Sequence, residues 1–329
     1  MEPKISLCMI VKDEEASLDK CLESVQGVAD EMIIVDTGST DSSADIARRH
    51  GARVLSYPWQ NDFSEARNFA LEAASGDWVL VLDADEELPD DTRARIKDVV
   101  KTSNADGFEL VVRSPMPETD ILKFEDVKIV RLFRNKKEFR YVMPIHEQIR
   151  QSIEKNGGVV QAADLMIVHH GYSSGMAQGK GNRAQRNLGI LSNAVSSSPR
   201  NPYLHYQLGV TLMSMGRRDE AYNELKNVLR LEYESMGAPV LERFYTKLSQ
   251  LALEKNRNEE AIQYARKSLG YNPANSISMY VVAVSLLSMN RISEGYEELL
   301  RIKQRQDGSL RLDIQLEHLI KACKELLGI

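Results

Sequence analysis

The stretch Asp77–Glu87, DWVLVLDADEE, constrains this chain more than any other. Its apolar run, Trp78-Val79-Leu80-Val81-Leu82, has no polar face, which predicts a strand covered on both sides, as in a parallel sheet. The run stops at Asp83-Ala84-Asp85-Glu86. A buried strand that ends in carboxylates must deliver them to the edge of its sheet, where open α/β sheets bind ligands. Two carboxylates at i and i+2 across a turn can share a hard divalent cation, which in turn binds phosphate oxygens. The plainer role for such a triplet is a solvated turn leading to the helix after Pro89.

The preceding residues supply a matching sheet. Residues 4–11 read as a strand ending at Lys12-Asp13-Glu14-Glu15, and Ser17–Val25 has Leu18, Leu22 and Val25 at helical spacing with Ser17 as cap. Glu31–Val35 is a second apolar strand, closed by Asp36-Thr37-Gly38-Ser39-Thr40-Asp41; Ser39, Thr40 or Asp41 can cap the helix carrying Ile46 and Ala47. A strand over Ala52–Ser56 and a helix over Arg67–Ala74 follow. Strand and helix alternating at this spacing predict a mainly parallel sheet with right-handed crossovers. Beyond the acidic turn, Asp90–Lys101 reads as helix, and Phe108–Val112, Val127–Phe133 and Leu165–Val168 as strands. A loop with Pro115 and Pro117 separates the first two of these strands.

From Gly171 to Gly181 glycine and serine dominate, which predicts a flexible segment and a domain boundary, giving domains 1–175 and 176–329. The second is helical and repetitive. His205, Leu208, Gly209, Leu212, Ala221 and Leu225 follow the roughly 34-residue tetratricopeptide spacing, in which small residues let paired helices approach. The spacing recurs, giving repeats near 202–235, 242–275 and 276–309, with Arg183–Ser197 as a helix packed on the first.

Bulk properties exclude several classes. A net charge of -6 argues against a general nucleic-acid binder. The cysteines Cys8, Cys21 and Cys323 are too scattered for a disulfide framework or a zinc site and fit a reducing compartment. The amino-terminal apolar stretch is too short for a signal peptide or membrane span, so a cytoplasmic location is expected.

The peptides ISLCMIVKDEEASLDKCLESV, IIVDTGSTDSSADIA and FSEARNFALEAASGDWVLVLDADEEL, with the later IHEQI and HHGY, resemble glycosyltransferase family 2 of the GT-A fold. The repeat-bearing tail is similar to the tetratricopeptide-fused branch, which includes peptide and protein glycosyltransferases such as the S-glycosyltransferases of glycosylated bacteriocins. The resemblance implies a metal-dependent, inverting transfer of sugar from a nucleoside-diphosphate donor, UDP-sugar favoured. The acceptor would be a peptide or protein held by the repeats, which could also pair two copies of the chain.

The resemblance also implies roles for single residues. Asp36 would accept a base N–H, with the backbone of Val11 and Lys12 lining the same pocket. Its alternative role is to cap the next helix. Arg67 would contact base or diphosphate, or else lie on a helix surface. Asp83, with Ala84, would address the ribose or a metal-bound water, and Asp85 would hold Mn²⁺ or Mg²⁺. His169 or His170 would be the second ligand, since neighbours on a strand face opposite ways; the H-x-G-Y form favours His169. Glu147 stands where a base is needed, or pairs structurally with His146. A lid over Gly171–Gly181 would bring Lys180 and Arg183 to the diphosphate.

Two other classes compete. One is a repeat scaffold with a degenerate first domain, against which Asp36, Asp83, Asp85 and the late histidine weigh. The other is a nucleotidyltransferase, but Lys12-Asp13-Glu14-Glu15 is acidic and lacks the glycines of a triphosphate loop.

Overall fold

The structure is a computed structural model that describes residues 2–115, 124–171, 176–304 and 313–329. The chain forms two compact units, residues 1–182 and 183–329. In the first, the elements run β1 (Ile5–Val11), α1 (Leu18–Ser24), β2 (Glu31–Asp36), α2 (Ser43–Arg49), β3 (Arg53–Ser56), α3 (Phe63–Ala73) and β4 (Trp78–Val81). They continue with β5 (Glu86–Glu87), α4 (Asp90–Thr102), β6 (Gly107–Pro115), β7 (Phe124–Arg134), α5 (Arg150–Lys155) and β8 (Val160–His169). The sheet order is β3-β2-β1-β4-β7-β6-β8-β5. Its first four strands are parallel, as the βαβ succession requires, and β7 enters antiparallel against β4. The sheet is mixed where the sequence pattern predicts a mainly parallel one: the half β3-β2-β1-β4 is parallel, β7 is antiparallel to both of its neighbours and β5 is antiparallel to β8, in an architecture resembling GT-A.

The unbroken apolar runs are explained by two cores, one on each face of the sheet. Ile5, Leu7 and Met9 of β1 and Trp78 and Leu80 of β4 pack with α1, α2 and α4. Cys8, Val79 and Val81, alternating with them, pack with Ala70 and Leu71 of α3.

Several element ends differ from expectation. The third helix starts at Phe63, not Arg67, because the Asp62 carboxylate accepts the Glu65 N–H and caps it there. Ser17 and Ser42 occupy N-cap positions without side-chain caps. Asp41 instead accepts the Ser43 N–H at 3.0 Å. Strands β6 and β7 extend through Pro115 and from Phe124, past the ends the apolar pattern gives them; Pro117 lies outside the described residues. The expected flexible segment 171–181 becomes helical at Met176, the start of α6 (Met176–Ser197), while residues 172–175 lie outside the described residues. The helix expected from Arg183 therefore starts seven positions earlier, and the division between the units falls within it.

The second unit is a series of helix pairs: α7 (Pro202–Ser214) with α8 (Arg218–Val228), α9 (Ala238–Glu254) with α10 (Asn258–Tyr271), and α11 (Ser276–Ser288) with α12 (Ile292–Gln304), then α13 (Asp313–Leu327). Small residues do set the approach of the pairs. A Cβ on Gly209 would stand 2.5 Å from Leu225, and one on Gly295 would stand 2.7 Å from Leu287. Successive pairs are also joined by polar contacts: Glu260 of α10 takes the Lys226 ammonium at 2.9 Å and the Tyr222 hydroxyl at 2.8 Å, both from α8. Among the described residues, no helix is long and apolar enough to cross a membrane.

The hydrogen bond from Lys226 leads the effects that bring the Glu260 carboxyl down from 4.5 to about 2. A group whose folded pKa is depressed stabilises above its unfolded value and loses that contribution as the pH falls through the folded one. Glu260→Gln is therefore expected to lower the urea midpoint of the second unit's transition at pH 6. The difference from wild type should close as the pH falls from 4.5 towards 2; a gap unchanged at low pH would contradict the pairing.

Candidate active site

The loops after β1 and β2 lock each other. Asp13, in a left-handed conformation (φ 55°), donates its N–H to Ser39 Oγ at 3.0 Å and accepts the Thr40 N–H at 2.7 Å. The Glu14 N–H reaches Ser43 Oγ at 2.7 Å, the Glu15 N–H reaches Asp41 at 3.0 Å, and Glu15 in turn accepts the Ser42 N–H. The acidic loop thus serves as a set of backbone clamps. The Val11 carbonyl accepts both the N–H and the hydroxyl of Thr37 at 3.0 Å, and Lys12 beside it is exposed. Asp36 Oδ1 accepts the N–H groups of Gly38 (3.1 Å) and Ser39 (2.8 Å), which holds the turn; Oδ2 has no partner among the described residues.

The acidic turn after β4 rests on two buried guanidinium groups. Arg67 of α3 and Arg131 of β7 each place an amino group 2.8 Å from Asp83, one on each carboxylate oxygen. Arg131 also reaches Glu86 at 2.6 Å, and Arg67 Nε reaches Glu147 at 2.6 Å. Burial opposes charge on Asp83, but Arg131 and Arg67 outweigh it and hold the carboxyl well below the usual range. Burial dominates at Glu86, only 2% exposed, and pushes its carboxyl up to about 7 despite Arg131. Tyr141, under the Arg67 guanidinium at 5.6 Å, is pushed up to about 12, chiefly by burial. Arg67 is therefore neither on a helix surface nor free at Nε. Glu147 pairs with Arg67 where pairing with His146 was the alternative. The Asp83 side chain still keeps 40% exposure at the rim.

Strand β5 brings the last pair together. It runs antiparallel to β8 with Glu86 opposite His169, so the residue before β5 lies beside the end of β8. The His170 N–H donates to the Asp85 carbonyl at 3.0 Å. His169 Nε2 stands 3.1 Å from Asp85 Oδ2, and its Nδ1 stands 2.9 Å from Ser114 Oγ. His170 points the other way and meets Glu87 at 3.1 Å. The Asp85 hydrogen bond raises the His169 pKa above its ordinary value, against burial. Ala84, between the two aspartates, is buried. Of the expected lid, Arg183 is exposed in the second unit, and the Lys180 side chain lies outside the described residues.

Three site residues were not anticipated: Arg131, Glu86 as a buried partner, and Ser114. Val130 pairs with Glu109 and Leu132 with Phe108, so Arg131 is an extra residue in a β-bulge. Bulges re-aim side chains, and no alternation rule shows that in advance. The available signal was a charged residue inside the apolar run Ile129–Phe133. Ser114 lies beyond the apolar pattern, where a loop is expected, and the structure continues strand β6 through it.

Residues 6–150 match the glycosyl transferase family 2 model, and residues 202–234 and 242–275 match a tetratricopeptide repeat model. A TPR repeat-containing protein of Synechococcus elongatus is 35% identical over 260 residues, covering 77% of this chain and 62% of that protein. The SPbeta prophage-derived glycosyltransferase SunS of Bacillus subtilis is 28% identical over 229 residues, 68% of this chain and 53% of SunS. The chain thus spans less than two thirds of the length of these relatives. A solved mannosyltransferase of Pyrobaculum calidifontis, in complex with GDP-Man and Mn²⁺, aligns with TM-score 0.44 and 17% identity, covering 82% of this chain and 88% of its own.

Removing one member of a buried ion pair leaves its partner's charge uncompensated, at a cost of about 3–5 kcal/mol. Arg131→Met is expected to destabilise the first unit by that amount in urea titration. Adding Glu86→Gln should restore part of the loss, because without Arg131 the Glu86 carboxyl, already raised to about 7, must stay charged and unpaired or take up a proton; no recovery would show that Glu86 is not the stranded partner.

Proposed function

We propose that this chain, in which a glycosyl transferase family 2 domain precedes tetratricopeptide repeats, is a divalent-metal-dependent glycosyltransferase that inverts the anomeric centre. It takes sugar from a nucleoside diphosphate, a UDP-sugar by preference, and delivers it to a peptide or protein bound by the repeats. The observation that carries this reading is the Asp85–His169 pair, 3.1 Å apart, at the edge of the sheet in a domain of this family.

The donor set suits a small divalent cation. The carboxylate oxygen suits Mn²⁺ or Mg²⁺, while the imidazole nitrogen, a softer donor, favours Mn²⁺ of the two, with substrate phosphates and water completing the shell. Among the described residues, no group of three His, Cys, Asp or Glu side chains is placed to hold a metal unaided, so water or the donor's diphosphate would have to complete the shell. With a cation bound, Ser114 accepting the Nδ1 proton would leave the His169 Nε2 lone pair for the ion, in place of the hydrogen bond that Nε2 makes to Asp85. An ion bound there supplies positive charge for the departing diphosphate.

The remaining residues bind and orient. Asp36 Oδ2 is the acceptor for a uracil N–H, between loops already fixed by their mutual clamps. Asp83, held ionised by two arginines yet open at its rim, accepts from the ribose hydroxyls, with Ala84 beneath. The helix pairs supply an extended surface for a polypeptide, a use to which such repeats are suited.

The test is incubation with single UDP-sugars, Mn²⁺ and candidate peptides, reading UDP release and peptide mass together. Wild type should add one sugar for each UDP released. Asp85→Ala and His169→Ala are expected to lower kcat on the order of a hundredfold or more, as loss of a charge-stabilising group does. His170→Ala should stay near wild type. Pyrophosphate as the product would turn the reading to nucleotidyl transfer.

A further inference from the structure

The segment between Tyr141 and Ile149 closes on itself. Val142 and Gln148 exchange backbone hydrogen bonds of 3.1 and 3.0 Å, leaving residues 143–147 as a tip. Two non-glycine residues of that tip adopt left-handed conformations, Met143 at φ 76° and His146 at φ 55°. Side chains with a Cβ disfavour this region, so it persists only where surrounding contacts over-determine it. Here they do. Ser64 Oγ donates to the Met143 carbonyl, and the Phe63 N–H donates to the Pro144 carbonyl at 2.8 Å. Ile145 is buried, and the Glu147 carboxylate accepts Arg67 Nε at 2.6 Å.

His146 is left out of this anchoring. It is exposed and has no hydrogen-bond partner among the described residues. Its place is nonetheless fixed, because Arg67 grips Glu147 through Nε and Asp83 through an amino group. The tip and the acidic turn thus hang on one guanidinium, and His146 is the residue next to that joint.

We propose that His146, rather than Glu147, takes the proton from the acceptor's hydroxyl or thiol during sugar transfer. The inference rests on the transfer reading above. The acceptor oxygen or sulfur bonds to the anomeric carbon as that carbon's bond to the diphosphate oxygen breaks. The electron pair of the broken bond leaves with the nucleoside diphosphate. The acceptor's proton passes to the unprotonated ring nitrogen and then to solvent. Solvent reaches the residue, but the protein packed around it partly desolvates the ring and pushes His146 below the ordinary imidazole value, with the Glu147 charge pulling the other way, which favours the unprotonated base. Glu147, its Oε1 spent on Arg67, is a positioning residue that holds the tip against the turn.

The decisive variant is His146→Asn, since asparagine tolerates the left-handed conformation but accepts no proton at neutral pH. The probes are UDP-glucose and UDP-N-acetylglucosamine with Mn²⁺ and a peptide set carrying single Ser, Thr or Cys residues. Loss of a general base is expected to lower kcat by roughly 10²–10⁴-fold. The KM for donor and the melting temperature should not change, the acidic limb of the pH–rate profile should disappear, and added imidazole should restore part of the rate. Glu147→Gln should instead raise KM and lower the melting temperature while keeping the acidic limb. An active wild type with His146→Asn at full kcat, or an acidic limb that disappears only in Glu147→Gln, overturns this inference alone. A wild type that transfers no sugar and releases no UDP overturns the transfer reading, and this one with it.

Discussion

The first unit depends on two arginine side chains held in its interior by carboxylates. Arg67 and Arg131, each under 10% exposed, come from a helix and a strand on different parts of the chain and meet at Asp83. Neither cation could be buried alone, since desolvating a guanidinium costs several kcal/mol unless charge and hydrogen bonds compensate. The compensation comes from Asp83, Glu86 and Glu147, which belong to the turn after β4, to β5 and to the closed tip. The network therefore fixes the relative positions of the segments from which a site must be made. Its members carry three negative and two positive charges when ionised, and burial, which raises the Glu86 pKa, favours a proton on that carboxyl.

Around this network, rigid backbone does the positioning. Parallel strands β1, β2 and β4 deliver their following loops to one edge, and the β5–β8 ladder carries His169 to Asp85 across 84 residues of sequence. The loops after β1 and β2 bond to each other through Asp13, Glu15, Ser39 and Asp41. Loops held in this way have little freedom left to lose, and ordering is a large part of what weakens association.

The second unit follows a different physical rule. Gly209 and Gly295 let the α7–α8 and α11–α12 pairs approach to contact, and Glu260 with Lys226, Tyr222 and Tyr264 joins one pair to the next. Stability in such arrays is local, each pair leaning on its neighbours. The aromatic cluster of Tyr206, Tyr233, Phe244 and Tyr245 fills the space where the chain between the first two pairs departs from strict repetition.

The sequence alone determined the order of the main elements, though not β5 or α5, with the doubly covered strands, the spacing of the repeats and the place of the acidic turn, because each follows from local apolar periodicity and where it stops. It also narrowed the histidine choice, since neighbours on a strand must face apart, and His169 and His170 do. It did not determine where the third helix starts, because Asp62 reads like any loop aspartate until the helix is present. Nor did it reveal Arg131, Ser114 or the partner of Glu147. Those depend on a bulge, on strand ends beyond the apolar pattern, and on a guanidinium reaching a residue 80 positions away. Such pairings are fixed by which charges the folded interior leaves uncompensated, and only the tertiary structure decides that.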